Sequence, residues 1–352
     1  MSFTISVKRV IRVKPILAME CMAKKFLKLP NIQKYEVSEL TEYGFIASVE
    51  MDDGFEFKIH AYVILKSYPS IVKQILEKQE NDKKDYVLVS PYISERAADI
   101  CEKNGVGYFD YAGNCWFVGH SIYISERGNK NPKPQTSMAS TTIFERSSMV
   151  SSLILRELFA DINRGWRLKH LSETVKCSIG QVSKVMDFLI KNAWAEKSAE
   201  GYYISDPESL LKEWSKTYGK KTVDTYICYS LDSPSVLEGK LSNIKRDMGI
   251  DYYLTGFSGG VRYAPVVHYN KVHVYIAPED IPEAISYLEL KEVDSGANVI
   301  IFSLENDSYK KDSRAIGEDM VVSPLQIYLD SMQIKGRGEE IAEAVFLKEI
   351  LK

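Results

Sequence analysis

Residues 168–205 read LKHLSETVKCSIGQVSKVMDFLIKNAWAEKSAEGYYIS, and this stretch decides how the middle of the chain folds. Leu168, Leu171 and Val175 recur at helical spacing, and the chain then turns at Lys176-Cys177. Ser178, with Gln181 three residues on, forms an S-x-x-Q capping box that opens a second helix. That helix is expected to bury Val182, Val185, Met186 and Leu189, leaving Gly180, Gln181, Ser183 and Lys184 outward near its N-terminal end. After Asn192, Trp194-Ala195-Glu196-Lys197, a turn around Ser198 to Gly201, and Tyr202-Tyr203-Ile204 alternate as two short strands. Two helices and a hairpin in this order spell a winged helix-turn-helix, whose second helix meets base edges in DNA.

Charge in this segment is only mildly basic. Arg156, Arg164, Arg167, Lys169, Lys176, Lys184, Lys191 and Lys197 are nearly matched by Glu157, Asp161, Glu173, Asp187, Glu196 and Glu200. Placement favours DNA over a purely structural module, because Arg167, Lys169, Lys176, Lys184 and Lys197 fall at helix starts, the turn and the wing, where phosphates lie. Together with Ser178, Gly180, Gln181 and Ser183 they make the expected DNA-binding set. Taken singly, each lysine also reads as an ordinary solvated charge.

The 352 residues, 45% of them apolar, are enough for two or three domains with full cores. A formal net charge of −3 excludes a general nucleic-acid coat, so any DNA contact is local. Five scattered cysteines, Cys21, Cys101, Cys115, Cys177 and Cys228, contain no C-x-x-C, which argues against a disulfide framework or a zinc site. No apolar run reaches membrane-span length, and MSFTISVKRVIRVKP carries charges inside each short apolar run, so neither a membrane partner nor a signal peptide is expected. The expected location is the cytoplasm.

GNKNPKPQTSMAS, 128–140, reads as a linker, and a second boundary falls near Tyr218-Gly219-Lys220-Lys221, after a helix over 207–217. The expected organisation is an α/β multidomain chain: a nuclease-like domain over 1–128, a linker over 129–140, a winged helix over 141–206 and an α/β domain over 207–352.

The N-terminal part predicts a helix over 16–27, strands over 43–50 and 55–65 joined at a D-G turn (Asp53-Gly54), a helix over 70–79, a strand over 86–90, a helix over 95–104, and strands over 107–111 and 114–118. This order resembles the restriction-endonuclease-like fold. Such enzymes hold Mg²⁺ with an Asp and an E-x-K on adjacent strands. Glu56-Phe57-Lys58 has the letters but starts its strand, its nearest acids Asp52 and Asp53 lie in the turn, and Ile64 and Lys66 stand farther along where the motif is required. The scaffold therefore reads as degenerate; the alternative is a metal-dependent DNA nuclease around Glu50, Glu56 and Lys58, targeted by the winged helix. Asp110 and Asn114 flank a Gly-Asn turn and are expected to satisfy turn backbone groups. Lys8, Arg9, Arg12, Lys14, Lys24, Lys25, Lys28 and Lys34 make the opening basic: a phosphate-binding surface or a solvated helix face.

Beyond Lys221, strands are expected over 226–231, 252–255, 272–276 and 297–302, with helices over 234–248 and 278–288. Phe257-Ser258-Gly259-Gly260 followed by His273-Val274-Tyr275 has the outline of a nucleotidyltransferase, a glycine turn before a strand bearing D-x-D. His273 and Tyr275 occupy the carboxylate positions, so no transferase activity, metal or cofactor is expected. His268 and His273 read as ordinary hydrogen-bonding residues.

The last fifty residues carry DSRAIG (312–317), VSPLQIYLD (322–330) and GRGEEIAEA (336–344). These phrases, with Leu254-Thr255-Gly256 and Tyr263-Ala264-Pro265, resemble the C-terminal signature of the abortive-infection type IV antitoxins, the AbiEi-like family. Val89-Ser90-Pro91-Tyr92-Ile93-Ser94 and Asp110 to Asn114 look like the extra domain of longer members described as transcriptional regulators. The resemblance implies a DNA-binding regulator that represses its own operon and counters a nucleotidyltransferase-like toxin, without enzymatic activity. The segment from Ser323 predicts a helix with Pro324 at its first position, Leu325, Tyr328 and Leu329 as packing residues, and Arg314 and Asp330 as polar anchors that pair internally or, as the second alternative, hold an anion.

Overall fold

The computed structural model describes residues 15–64, 67–82, 84–130, 143–144, 149–218, 224–303 and 309–351. It is mixed α/β and divides into two compact units, Met1–Ser137 with Phe188–Ala193, and Met138–Asp187 with Trp194–Lys352. No helix among the described residues is long and apolar enough to cross a membrane.

The first unit is built on α1 (Pro15–Phe26), β1 (Ile32–Thr41), β2 (Gly44–Met51), β3 (Glu56–Val63), α2 (Pro69–Asp82), β4 (Asp85–Ser90), α3 (Glu95–Lys103), β5 (Gly107–Asp110), β6 (Cys115–Gly119) and β7 (Ile122–Glu126). Its seven strands lie side by side in chain order. The first three form an antiparallel meander. β3, β4 and β5 run parallel, as the helical crossovers α2 and α3 require, and β6 and β7 return antiparallel. One sheet face packs Phe45, Ala47, Val49, Ile59 and Phe109 with Ala18, Met22 and Phe26 of α1. The other packs Tyr86, Leu88 and Tyr108 with Val72 and Ile75 of α2 and Ala97, Ala98 and Cys101 of α3. Both faces of the central strands are thus covered, which is why β4 reads as a continuous apolar run.

Two strands depart from the sequence reading. β1 fills the stretch left between the first helix and the strand over 43–50, and β7 extends the sheet beyond Val118. Both are edge strands: β1 is largely exposed and lacks the apolar alternation of a strand half-buried in a core, while β7 buries Ile122 and Ile124 in alternation but is only five residues long. Of the basic opening, Lys8, Arg9, Arg12 and Lys14 lie outside the described residues, Lys25 pairs with Glu126 at 2.6 Å and Lys34 with Glu36 at 2.8 Å.

The second unit contains α4 (Met149–Ala160), α5 (Leu168–Val175), most of α6 (Ile179–Lys191), β8 (Ala195–Lys197), β9 (Tyr202–Ile204) and α7 (Pro207–Tyr218). An α/β domain follows: β10 (Asp224–Tyr229), α8 (Pro234–Met248), β11 (Tyr252–Leu254), α9 (Gly256–Tyr263), β12 (Val272–Ile276), α10 (Ile281–Tyr287), β13 (Lys291–Glu292), β14 (Val299–Ser303), β15 (Arg314–Ile316), β16 (Asp319–Val321), α11 (Pro324–Ser331) and α12 (Gly338–Val345). The strand order is β13-β10-β14-β12-β11-β16-β15. Leu237, Leu241 and Ile244 of α8 and Ile281 and Ala284 of α10 share one core with Val272, Val274, Val299 and Ile301. A 3-10 turn, Pro278–Asp280, leads into α10, so the helix expected from Pro278 begins three residues later.

Phe257 to Gly260, expected as a phosphate-style turn, lies inside α9. The glycines serve close packing. A Cβ on Gly259 would stand 2.6 Å from the Leu254 carbonyl oxygen and from Ile327 of α11, and one on Gly260 would stand 2.4 Å from Ile341 of α12. The letters of a nucleotide loop here mark the line along which three helices meet.

Candidate nucleic-acid interface

α5 ends at Lys176, whose left-handed backbone (φ 55°, ψ 49°) reverses the chain, with the Cys177 amide donating to the Ser172 carbonyl at 3.0 Å. The capping box then forms as the sequence spells it. Ser178 Oγ accepts from the Gln181 amide at 3.2 Å, while Gln181 Oε1 accepts from the Ser178 amide and from Ser178 Oγ, each at 3.0 Å. Val182, Val185, Met186 and Leu189 are buried, which fixes the outward face of α6.

The hairpin pairs Ala195 with Ile204, Glu196 with Tyr203 and Lys197 with Tyr202. Trp166 joins its edge: its amide donates to the Tyr202 carbonyl at 2.7 Å and its carbonyl accepts from the Tyr202 amide at 2.8 Å. The chain entering α5 is thereby stitched to the hairpin. Gly201 makes this possible, since its φ is 143° and a Cβ would fall 2.6 Å from the Trp166 carbonyl oxygen.

Arg167, Lys169, Lys176, Ser178, Gly180, Gln181, Lys184 and Lys197 are all exposed, and Ser183 is half-buried. They occupy the start of α5, the turn, the first turns of α6 and the hairpin. Lys169 stands 3.9 Å from Glu173, and Lys197 lies 5.3 Å from the Tyr202 ring centre. From Thr174 to Met186 there are two lysines, Lys176 and Lys184, and no acid. Outside the expected set stand Arg164, whose guanidinium lies 3.9 Å from the Trp166 ring centre and 3.3 Å from His170 Nδ1, and Ile179, half exposed on the first turn of α6. An isoleucine at the first position of an otherwise amphipathic helix was the available signal.

A second constellation lies between α4, α7 and the α/β domain. Arg156 of α4, 3% exposed, donates from its guanidinium to Gln326 Oε1 of α11. Gln326 Nε2 donates to Tyr218 Oη at 2.6 Å, to Tyr275 Oη at 3.2 Å and to Asp330 Oδ1 at 2.7 Å. Asp330 also accepts from Thr255 Oγ1 at 2.5 Å and from Tyr275 Oη at 3.1 Å. Burial pushes its carboxyl up to about 6, against the opposing pull of these donors and of the Arg156 charge. Lys311 pairs with Glu157 of α4 at 2.8 Å, and Gln333 Nε2 donates to the Ser215 carbonyl of α7 at 2.8 Å. Ser323 caps α11, accepting from the Gln326 amide at 3.2 Å with Pro324 at the first helical position, as expected. Arg314 pairs with Glu349 at 3.2 Å, so the two expected anchors are both internally bound, each to its own partners.

The remaining candidates resolve separately. Glu50 faces Glu56 directly across the β2–β3 ladder, with Lys58 opposite Ser48. Ile64 is buried and Lys66 lies outside the described residues. Among the described residues no group of three or more His, Cys, Asp or Glu side chains is placed to hold a metal ion. Asp110 accepts from the Asn114 amide and from Asn114 Nδ2 at 2.8 Å each, and from the Ile93 amide at 3.1 Å, which makes it a turn-organising residue. His273 is buried between Phe257 and Phe302, and burial drives its imidazole down to about 4, so it is neutral at pH 7.

The chain is thus a mixed α/β protein in which two short helices and a hairpin precede an α/β domain, and a buried polar junction ties α4 and α7 to that domain. Residues 203–351 match the family model described as transcriptional regulator, AbiEi antitoxin, type IV toxin–antitoxin system. The match begins on β9 and covers α7 and the whole α/β domain, including Gln326 and Asp330, while α4 to α6 lie before it. No curated protein matches the chain, and no solved structure does.

Proposed function

We propose that this chain is a DNA-binding transcriptional regulator, the antitoxin of a type IV toxin–antitoxin system, which contacts duplex DNA through a winged helix formed by α4 to β9. The observation that carries the DNA reading is the capped start of α6, which presents Gly180, Ser183 and Lys184 outward beside Lys176, without an acid from Thr174 to Met186. Arg167, Lys169 and Lys197 extend the cationic rim to the start of α5 and the wing. The antitoxin reading rests on the family match over residues 203–351. Its partner would be a nucleotidyltransferase-like toxin, and its place the cytoplasm.

In this reading the domains follow the boundaries 1–128, 129–140, 141–206 and 207–352. The first has the order helix, antiparallel meander, helix and parallel strand of the restriction-endonuclease-like fold. In this proposal it serves as a scaffold rather than a nuclease, since Ile64 and Lys66 stand where the E-x-K pair is required. The test is a mobility-shift titration of the full-length chain on the promoter DNA upstream of its own gene. Binding is expected, weakening steeply with salt and weaker in a Lys176→Ala/Lys184→Ala variant. Equal binding by the variant and the parent would refute the assignment of this face. A nucleotidyltransferase gene adjacent to this one would support the toxin partner.

A further inference from the structure

The DNA-facing reading leaves open which side chain on α6 distinguishes one base from another. Gln181, the residue type suited to adenine, is already engaged: its carbonyl oxygen holds both the amide and the hydroxyl of Ser178 at 3.0 Å. It builds the start of the helix instead of projecting from it. Ile179 does project. It is 50% exposed, whereas Val182, Val185, Met186 and Leu189 of the same helix are at most 3% exposed. It shares an outward face with Ser183, four residues on, and leaves half of a large aliphatic side chain in solvent.

Gly180 sits beside it. No atom lies closer than Ser178 Oγ at 4.0 Å to the place its Cβ would take, and its φ is not left-handed, so an alanine would fit and would favour the helix. The missing methyl leaves a notch next to Ile179 on the solvent side. Lys176 and Lys184 flank both residues, with no carboxylate from Thr174 to Met186. An aliphatic tip beside a notch, with Lys176 and Lys184 on either side of it in the chain and the nearest acids at Glu173 and Asp187, suits a polyanion that carries a methyl group within reach of a helix. Duplex DNA meets that description through the thymine 5-methyl in its major groove, and RNA, which carries uracil, does not.

We propose that Ile179 reads a thymine by contact with its 5-methyl group, that Gly180 gives the duplex room to approach, and that Gln181 is a positioning residue. This rests on the DNA-binding reading of α6.

The experiment starts from a duplex selected out of a random pool by the full-length chain, in which each thymine is replaced singly by deoxyuridine, removing only the methyl. At one position per bound α6, the parent protein should lose about fourfold in affinity, the worth of one buried methyl. Ile179→Ala should lose a similar factor on the unmodified duplex and should not respond to deoxyuridine at that position, while responding as the parent does elsewhere. Circular dichroism of Ile179→Ala should match the parent, since the side chain is half in solvent. Should no deoxyuridine position matter, or should parent and Ile179→Ala respond equally at every one, the assignment is overturned. The Lys176→Ala/Lys184→Ala variant separates this from the underlying reading. If that variant binds as the parent does, the face is not the DNA surface at all; if it weakens while Ile179→Ala shows no coupling to any methyl, only the thymine assignment fails.

Discussion

Replacing Asp330 by asparagine tests whether the junction around Gln326 holds an ionised carboxylate at a cost. Asp330 is buried, and its carboxyl is pushed from 3.8 up to about 6. A raised acid pKa means that the folded chain binds the proton more tightly than the unfolded one, so this group's contribution to stability is most favourable at low pH and is lost as pH rises from about 4 to 6. Two pH units correspond to about 3 kcal/mol at neutral pH, as an order of magnitude. The Asp330→Asn substitution removes that ionisation and keeps an acceptor for Gln326 Nε2, while the hydroxyls of Thr255 and Tyr275 can rotate to accept from the new side-chain amide. The substitution also removes a negative charge that acts on Arg156, which opposes the gain.

The robust quantity is therefore the pH dependence and not the absolute change. Urea unfolding of parent and Asp330→Asn, followed by tryptophan fluorescence at pH 7.5 and pH 5, gives a double difference in which every other titrating group cancels. The parent should gain on the order of 1 kcal/mol relative to the variant on acidification to pH 5. Parallel pH dependence in the two proteins would show that Asp330 does not titrate in this range, and the account of the junction would fall with it.

Gly201→Ala should destabilise the wing by about 2 kcal/mol or more, because its Cβ would meet the Trp166 backbone at 2.6 Å, and thermal unfolding together with loss of DNA binding would register it; unchanged stability would contradict the Trp166–Tyr202 bridge. Gly180→Ala should move the two readouts in opposite directions, raising stability by about 0.5–1 kcal/mol while weakening DNA binding, and a variant that binds better would remove the notch from the argument. Duplex DNA incubated with the full-length chain and Mg²⁺ or Mn²⁺ should stay intact, and cleavage that disappears in Glu56→Gln would revive the nuclease alternative. A chain ending at Asp206 loses α11 and leaves Arg156 without Gln326; it should bind DNA more weakly than the full chain, and equal binding would deny any coupling between the two.

What could be read from sequence was whatever is decided by near neighbours. The Ser178 and Gln181 box, the Ser323 cap with Pro324, and the turn at Asp53-Gly54, where Asp53 Oδ1 accepts from the Phe55 amide at 2.9 Å, each close within three residues. The apolar faces of α6 and β4 follow from periodicity. β1 escaped because an edge strand with one exposed face and charges along its length lacks that periodicity. Gly259-Gly260 misled because close approach to phosphate and close approach to a helix ask for the same residue. The role of Asp330 needed partners 75 and 55 residues away, Thr255 and Tyr275, which no local pattern brings together.

The position of that junction in the chain matters as much as its chemistry. α4 immediately precedes the helix-turn-helix and α7 immediately follows the hairpin, and both are bound to α11 or its flanks, through Arg156 and Tyr218 to Gln326, and through Ser215 to Gln333. Gln326 can satisfy this set in one orientation only: its oxygen must face the Arg156 donor and its nitrogen the Asp330 acceptor, so the amide cannot flip without placing like groups together at both ends. A buried network of this kind stabilises little when complete and costs several kcal/mol when one member is lost. The two helices that flank α5, α6 and the hairpin in the chain are therefore held in one setting relative to α11. Displacement of α11 would take the Gln326 acceptor from the buried Arg156 guanidinium and part Asp330, which moves with Gln326, from Thr255 and Tyr275. The part of the chain that matches the antitoxin family is thereby fastened to both helices that flank α5 and α6 in the chain.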